Sequence, residues 1–212
     1  MNFEPTIDPQ SVLLLPGWHN SGPDHWQSLW EREHGFLRVD EHDWMRPLRG
    51  DWIIRLEETL LKLTQPAWLV AHSLGCIQVA AWAAHSTQTH RVAGALLVAP
   101  GDPEREDLRP LLPSWSPVPR VRLPFPSRVV ACHNDPYCDW ARVVGFARDW
   151  GSDLIDAGTT AGHLNAESGL GHWPFGLDVL HQMQAQTRFP VQPQGQKLAD
   201  DTPTSLLLTP EG

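Results

Sequence analysis

Apolar residues in this chain fall into short unbroken runs alternating with longer segments of helical period. Ser11 to Leu15, Ala67 to His72, Val92 to Ala99 and Ser127 to His133 are apolar runs set off by proline, glycine or polar residues. Such runs have the character of strands buried on both faces. Trp26, Leu29 and Trp30 recur at spacings of three and four and predict a helix from Pro23 to about His34, with Pro23 in its first turn. Trp52, Ile53, Leu56, Leu60 and Leu63 make a second helical stripe, ended by Pro66. Leu74 to His85, Pro136 to about Trp150 and Pro174 to Arg188 read as further helices, and Phe36 to Asp40 and Ser152 to Asp156 as short strands. Strands alternating with helices predict an α/β fold, with a mostly parallel sheet covered by helices on both faces. Ligands then bind beyond the C-terminal ends of the strands.

Two segments break the alternation. Asp102 to Pro126 carries Pro103, Pro110, Pro113, Pro117, Pro119, Pro124 and Pro126, so it cannot be one regular helix. A semi-rigid loop at the mouth of a site and a connector packed elsewhere both fit it. Pro190 to Gly212 is rich in proline, glutamine and threonine, the composition of a disordered tail, although Leu206 to Leu208 offer a small docking patch. The expected organisation is one domain over 1–189 and a tail over 190–212, within the range of a single domain.

Charge and cysteine content narrow the function. The net charge of -9, with no basic patch, argues against nucleic acid and anionic membrane as partners. Three cysteines, Cys76, Cys132 and Cys138, form no C-x-x-C pair and are odd in number, which fits a reducing cytoplasm. The opening MNFEPTIDPQ lacks the basic start and apolar core of a signal peptide. The longest apolar stretch, Ala67 to Ala84, contains His72, Ser73, Gly75 and Gln78 and divides into strand and helix rather than spanning a membrane.

Leu69-Val70-Ala71-His72-Ser73-Leu74-Gly75-Cys76 places a serine between a strand and a helix, the arrangement of a nucleophile elbow, with Ala71 where the first glycine of G-x-S-x-G normally stands. A serine hydroxyl needs a base within hydrogen-bond reach and a third group to orient that base. Asp135 follows the fourth long strand in HNDPYC, and His163 follows the last strand in AGHLN. Serine, acid and histidine in that chain order, each after a strand, is the α/β-hydrolase arrangement. Blander readings stand beside it. Ser73 could be structural, Asp135 could cap a helix beginning at Pro136, and His163 could be a loop histidine. His133 and His172 are rival bases, and His72 points away from the site if the strand alternates.

An oxyanion needs two donors. The backbone N–H of Leu74 at the helix start and that of Trp18 in the loop after the first strand are the candidates. His19 and Asn20 either line the substrate pocket or serve the turn. No H-E-x-x-H or C-x-x-C spacing occurs, so no metal or other cofactor is expected. Cys76 lies a turn into the helix and reads as a small buried residue. Most of the tryptophans lie in predicted helices and read as core.

HWQSLWE, AHSLG, HNDPYC and GHLNAESGLGHWP together resemble the retinoblastoma-binding protein 9 family of small serine hydrolases, which includes YdeN-like bacterial members. The resemblance covers about residues 10–188. It implies a compact α/β-hydrolase fold with minimal or no cap domain. It also implies a triad at Ser73, Asp135 and His163 and esterase-type activity on small acyl substrates. The protein-binding property in the family's name belongs to one branch and is not carried over to this chain. The expectation is a serine hydrolase working through an acyl-enzyme on Ser73. The competing class is a non-catalytic binding protein on the same fold. As base, His163 must be neutral, so activity should fall as pH drops through roughly 6–7.

Overall fold

The computed structural model describes residues 9–188, so the tail from Pro190, with Leu206 to Leu208, lies outside the described residues. The elements are β1 (Val12–Leu15), α1 (Trp26–His34), β2 (Leu37–Arg38), α2 (Arg49–Lys62), β3 (Ala67–His72), α3 (Leu74–Ala83), β4 (Val92–Val98), β5 (Ser127–Ala131), α4 (Trp140–Trp150), β6 (Asp153–Asp156) and α5 (Pro174–Arg188). The six strands form one sheet in the order β2-β1-β3-β4-β5-β6, every neighbouring pair parallel.

That order fixes which face each helix covers. From β1 the chain moves outward to β2, then returns past β1 to β3 and continues to β4, β5 and β6. Parallel crossovers are right-handed, so reversing direction moves the connecting helix to the opposite face. One apolar cluster joins Leu13, Leu15, Leu69 and Ala71 to α2, α3 and α4. The other joins Val12, Leu14, Trp68 and Val70 to α1 and α5. Alternate residues of each strand serve opposite clusters, as the pleat requires. The reversal creates a switch point between β1 and β3, where a parallel sheet opens a crevice beyond its strand ends.

Trp26, Trp30, Trp52, Trp82, Trp115 and Trp150 are fully buried, and each indole N–H donates to an acceptor. Those acceptors are the carbonyls of Leu164, His172, Asp43, Pro47 and Pro119 and the Glu57 carboxylate. A buried indole thus contributes apolar area and also pins a loop.

Two helices start later than expected. α1 begins at Trp26 because His25, extended at ψ 141, caps it by accepting the Gln27 N–H. α4 begins at Trp140 rather than Pro136, since residues 135–138 form a turn in which Asp135 Oδ1 accepts the Tyr137 N–H at 2.8 Å. Asp135 is therefore not a helix cap. The proline-rich segment fills both roles considered for it. Asp102, Pro103, Leu108 and Leu112 line the cavity beside Ser73, while Trp115, Val118, Leu123 and Phe125 are buried against the α2–α4 face. No separate cap domain is present among the described residues.

One buried polar pair was not anticipated. Gln78 on α3 donates its amide to Glu41 Oε1 at 2.7 Å and to the Trp52 carbonyl at 2.8 Å. Glu41 Oε2 and Gln78 Oε1 are buried without partners. Burial pushes the Glu41 carboxyl up from 4.5 to about 8. The folded chain then keeps a proton that the unfolded chain has lost between those values, so stability falls as pH rises across that window and levels off above it. Glu41→Gln is expected to flatten this slope, raising Tm at pH about 8.5 by several degrees (about 2–4 °C per kcal/mol for a chain of this size). Equal slopes in thermal melts of the two proteins would contradict this.

Candidate active site

Ser73 sits between β3 and α3 at φ 54 and ψ -118, a conformation that side-chain-bearing residues rarely adopt. The turn is held by the Ser73 N–H on the Val98 carbonyl at 3.0 Å and the Cys76 N–H on the Ser73 carbonyl at 3.1 Å. Gly75 makes the close approach possible, because a Cβ there would lie 2.3 Å from the Leu15 carbonyl oxygen and 2.8 Å from that of Pro16. Ala71 is fully buried in the α2–α4 cluster, so its methyl is accommodated where the usual motif has glycine. Across the switch point, a Cβ on Gly17 would come within 2.7 Å of Ser73 Cβ. The loop after β1 therefore touches the elbow directly.

The structure brings Ser73, Asp135 and His163 together although 90 residues separate the first from the last. His163 Nε2 lies 2.8 Å from Ser73 Oγ, and His163 Nδ1 lies 2.9 and 2.8 Å from the two Asp135 oxygens. The Asp135 side chain is fully buried, and His163 is only slightly exposed. Nδ1–H donating to the carboxylate leaves the Nε2 lone pair to accept the serine proton.

The loop bearing His163 is tied down from three elements. His72 Nε2 donates to the His163 carbonyl at 2.9 Å, Trp26 Nε1 donates to the Leu164 carbonyl at 2.9 Å, and the Gly162 N–H donates to Asn134 Oδ1 at 2.9 Å. Strand alternation points His72 away from the site, yet it bonds to the His163 backbone and lines the cavity. Its complete burial holds its pKa well below the usual histidine range.

The cavity has a volume of about 330 Å³, at the small end for ligand pockets. Ser73, His163, Leu74 and Trp18 all line it. The Leu74 and Trp18 amides have no acceptor among the described residues. Trp18 is fixed instead through its indole, which donates to the Met45 carbonyl at 3.1 Å. His19 and Asn20 also line the cavity, both at positive φ (71 and 66). Asn20 Oδ1 is committed inside the protein, accepting from the Ser21 N–H at 2.7 Å and Arg38 at 2.6 Å. That oxygen therefore serves the turn, while Asn20 still borders the cavity.

The rival groups point elsewhere. His133 stacks on Trp140 at 3.9 Å and pairs with Asp156 at 2.9 Å. His172 pairs with Glu33 at 2.7 Å. Cys76 is buried with its thiol pushed well up by burial, so it is no nucleophile. No group of three or more metal-binding side chains occurs among the described residues. No helix among them is long and apolar enough to cross a membrane. Sequence reasoning missed His25, Tyr137, Asp102, Asn165 and Glu167 as cavity residues. The GHLNAES motif carried Asn165 and Glu167, but nothing in its spacing marks which side chains face a pocket.

Comparison with known proteins agrees with this architecture. A family described as Serine hydrolase matches residues 12–182. The structure is similar to that of a YdeN-like hydrolase from Pectobacterium atrosepticum, at 31% identity and TM-score 0.73, covering 84% of this chain and 92% of that one. It is also similar to the ydeN gene product of B. subtilis, at 19% identity and TM-score 0.66, covering 83% and 99%. A thermophilic esterase from Thermogutta terrifontis shares the fold at 16% identity and TM-score 0.57, covering 84% and 90%. The last two likenesses bear on fold alone. Comparison with curated proteins gives no match.

Proposed function

This chain belongs to the serine hydrolase family, and we propose that it cleaves an ester, thioester or amide of a small substrate through an acyl-enzyme on Ser73. The observation that carries the reading is the unbroken line Ser73–His163–Asp135, with contacts of 2.8 Å at both ends. Ser73 Oγ attacks the acyl carbon as His163 Nε2 takes its proton. Asp135 holds the imidazole by Nδ1–H and stabilises the imidazolium that forms. The Leu74 and Trp18 amides, without an acceptor among the described residues, receive the oxyanion, with the start of α3 adding its dipole. His163 then protonates the leaving group, and a water deprotonated by the same nitrogen releases the acid.

The cavity volume favours short acyl groups. A reducing cytoplasm suits three buried, unpaired thiols. Residues 1–189 act as the catalytic domain in this reading. A fluorophosphonate probe is expected to label the wild-type protein at Ser73 and to leave Ser73→Ala unlabelled. An unlabelled wild type would favour a binding protein instead.

A further inference from the structure

His25 is the one cavity-lining residue, among the described residues, with a buried side-chain nitrogen or oxygen that has no partner. It is 4% exposed, with its ring 4.7 Å from that of His72 and 5.2 Å from that of Trp26. Its Nδ1 accepts the Gln27 N–H at 3.2 Å as the cap of α1. A neutral ring used in that way carries its proton on Nε2, and Nε2 is the atom without a partner. Burial, helped by Arg38 and His163 nearby, pushes its pKa down to about 3, so the ring stays neutral. A buried N–H facing no acceptor is destabilising until a ligand supplies one.

The charge around the cavity selects the kind of acceptor. Among the described residues no lysine or arginine lines it, and its charged members are Asp102, paired with Arg142 at 3.0 Å, and Glu167. A carboxylate on the substrate would meet like charge there and find no cation. We propose that His25 is a specificity residue whose Nε2–H donates to an uncharged oxygen of the substrate (carbonyl, ether or hydroxyl) other than the scissile group. This rests on the reading of Ser73 as nucleophile.

Matched esters test it. On the acyl side, p-nitrophenyl levulinate is compared with p-nitrophenyl valerate, which lacks the ketone oxygen, and with the p-nitrophenyl monoester of succinate, which carries a carboxylate. On the alcohol side, methoxyethyl butyrate is compared with butyl butyrate. The wild type is expected to favour the oxygen-bearing neutral ester of at least one pair by about tenfold in kcat/KM, and to rank the succinate monoester last. His25→Asn keeps a cap acceptor near the position of Nδ1 but has no atom at Nε2, so it should bring the ratio close to unity. His25→Gln places an amide N–H near Nε2 and should restore part of the ratio. No discrimination in either pair, the same ratio in His25→Asn, or preference for the succinate monoester would overturn the inference and leave the nucleophile intact. Absence of any Ser73-dependent hydrolysis would overturn the nucleophile and this inference with it.

Discussion

Ser73→Ala is expected to lower kcat for ester hydrolysis by about 10⁶, down to the level that binding and the oxyanion donors sustain alone. The side chain contributes no apolar contact to either cluster, so Tm should change little. Asp135→Asn is expected to cost about 10⁴, because an amide at that position no longer holds His163 with its proton on Nδ1. The effects should not add, since in the proposed mechanism Ser73, His163 and Asp135 act as a unit and the loss of Ser73 removes the step the others serve. Steady-state kinetics on p-nitrophenyl butyrate reads all three proteins. A Ser73→Ala enzyme within tenfold of wild type would show that another group carries the chemistry.

Gly75→Ala is expected to have the largest effect on stability. A single methyl there would meet the Leu15 carbonyl at 2.3 Å and the Pro16 carbonyl at 2.8 Å, both backbone atoms at the end of a central strand. A flexible side chain could move aside; β1 is buried on both faces and paired with β2 and β3. The helix must therefore shift away from the strand, which carries Ser73 and Leu74 with it. Overpacking of this kind costs about 3 kcal/mol, or roughly 6–12 °C in Tm for a chain of this size. Activity should fall further than stability requires, because Ser73 and the Leu74 amide proposed for the oxyanion ride on the displaced turn. Differential scanning calorimetry gives the first quantity and kcat on the remaining folded protein the second. A variant that melts with wild type would mean that the elbow has room the structure does not show.

The strands were legible because a parallel sheet buried on both faces leaves unbroken apolar runs, as in Val12–Leu15 and Ala67–His72. The members of the site were legible for a related reason: polar residues such as Ser73 and Asp135 stand out where such runs end. Helix starts were harder. His25 caps α1 through a ring nitrogen rather than through a serine, threonine, aspartate or asparagine side chain, and Asp135 before a proline imitates a cap it does not provide. The contact between Gly17 and Ser73 depends on β1 lying beside β3, an order that alternation of strands and helices does not set. The Glu41–Gln78 pair spans 37 residues with no periodic signal. The cavity wall from Asp102 to Leu112 has no regular period and takes its shape from turns and from the buried residues that follow it.

Trapping the covalent intermediate identifies the nucleophile itself. The protein is mixed with p-nitrophenyl acetate, quenched in acid within the first turnover and digested. If Ser73 is activated as described, nitrophenolate appears in a burst and one acetyl group is found on the peptide carrying Ser73. An acetyl group on any other side chain, or steady hydrolysis with no acylated peptide in the wild type and in Asp135→Asn, would contradict the account.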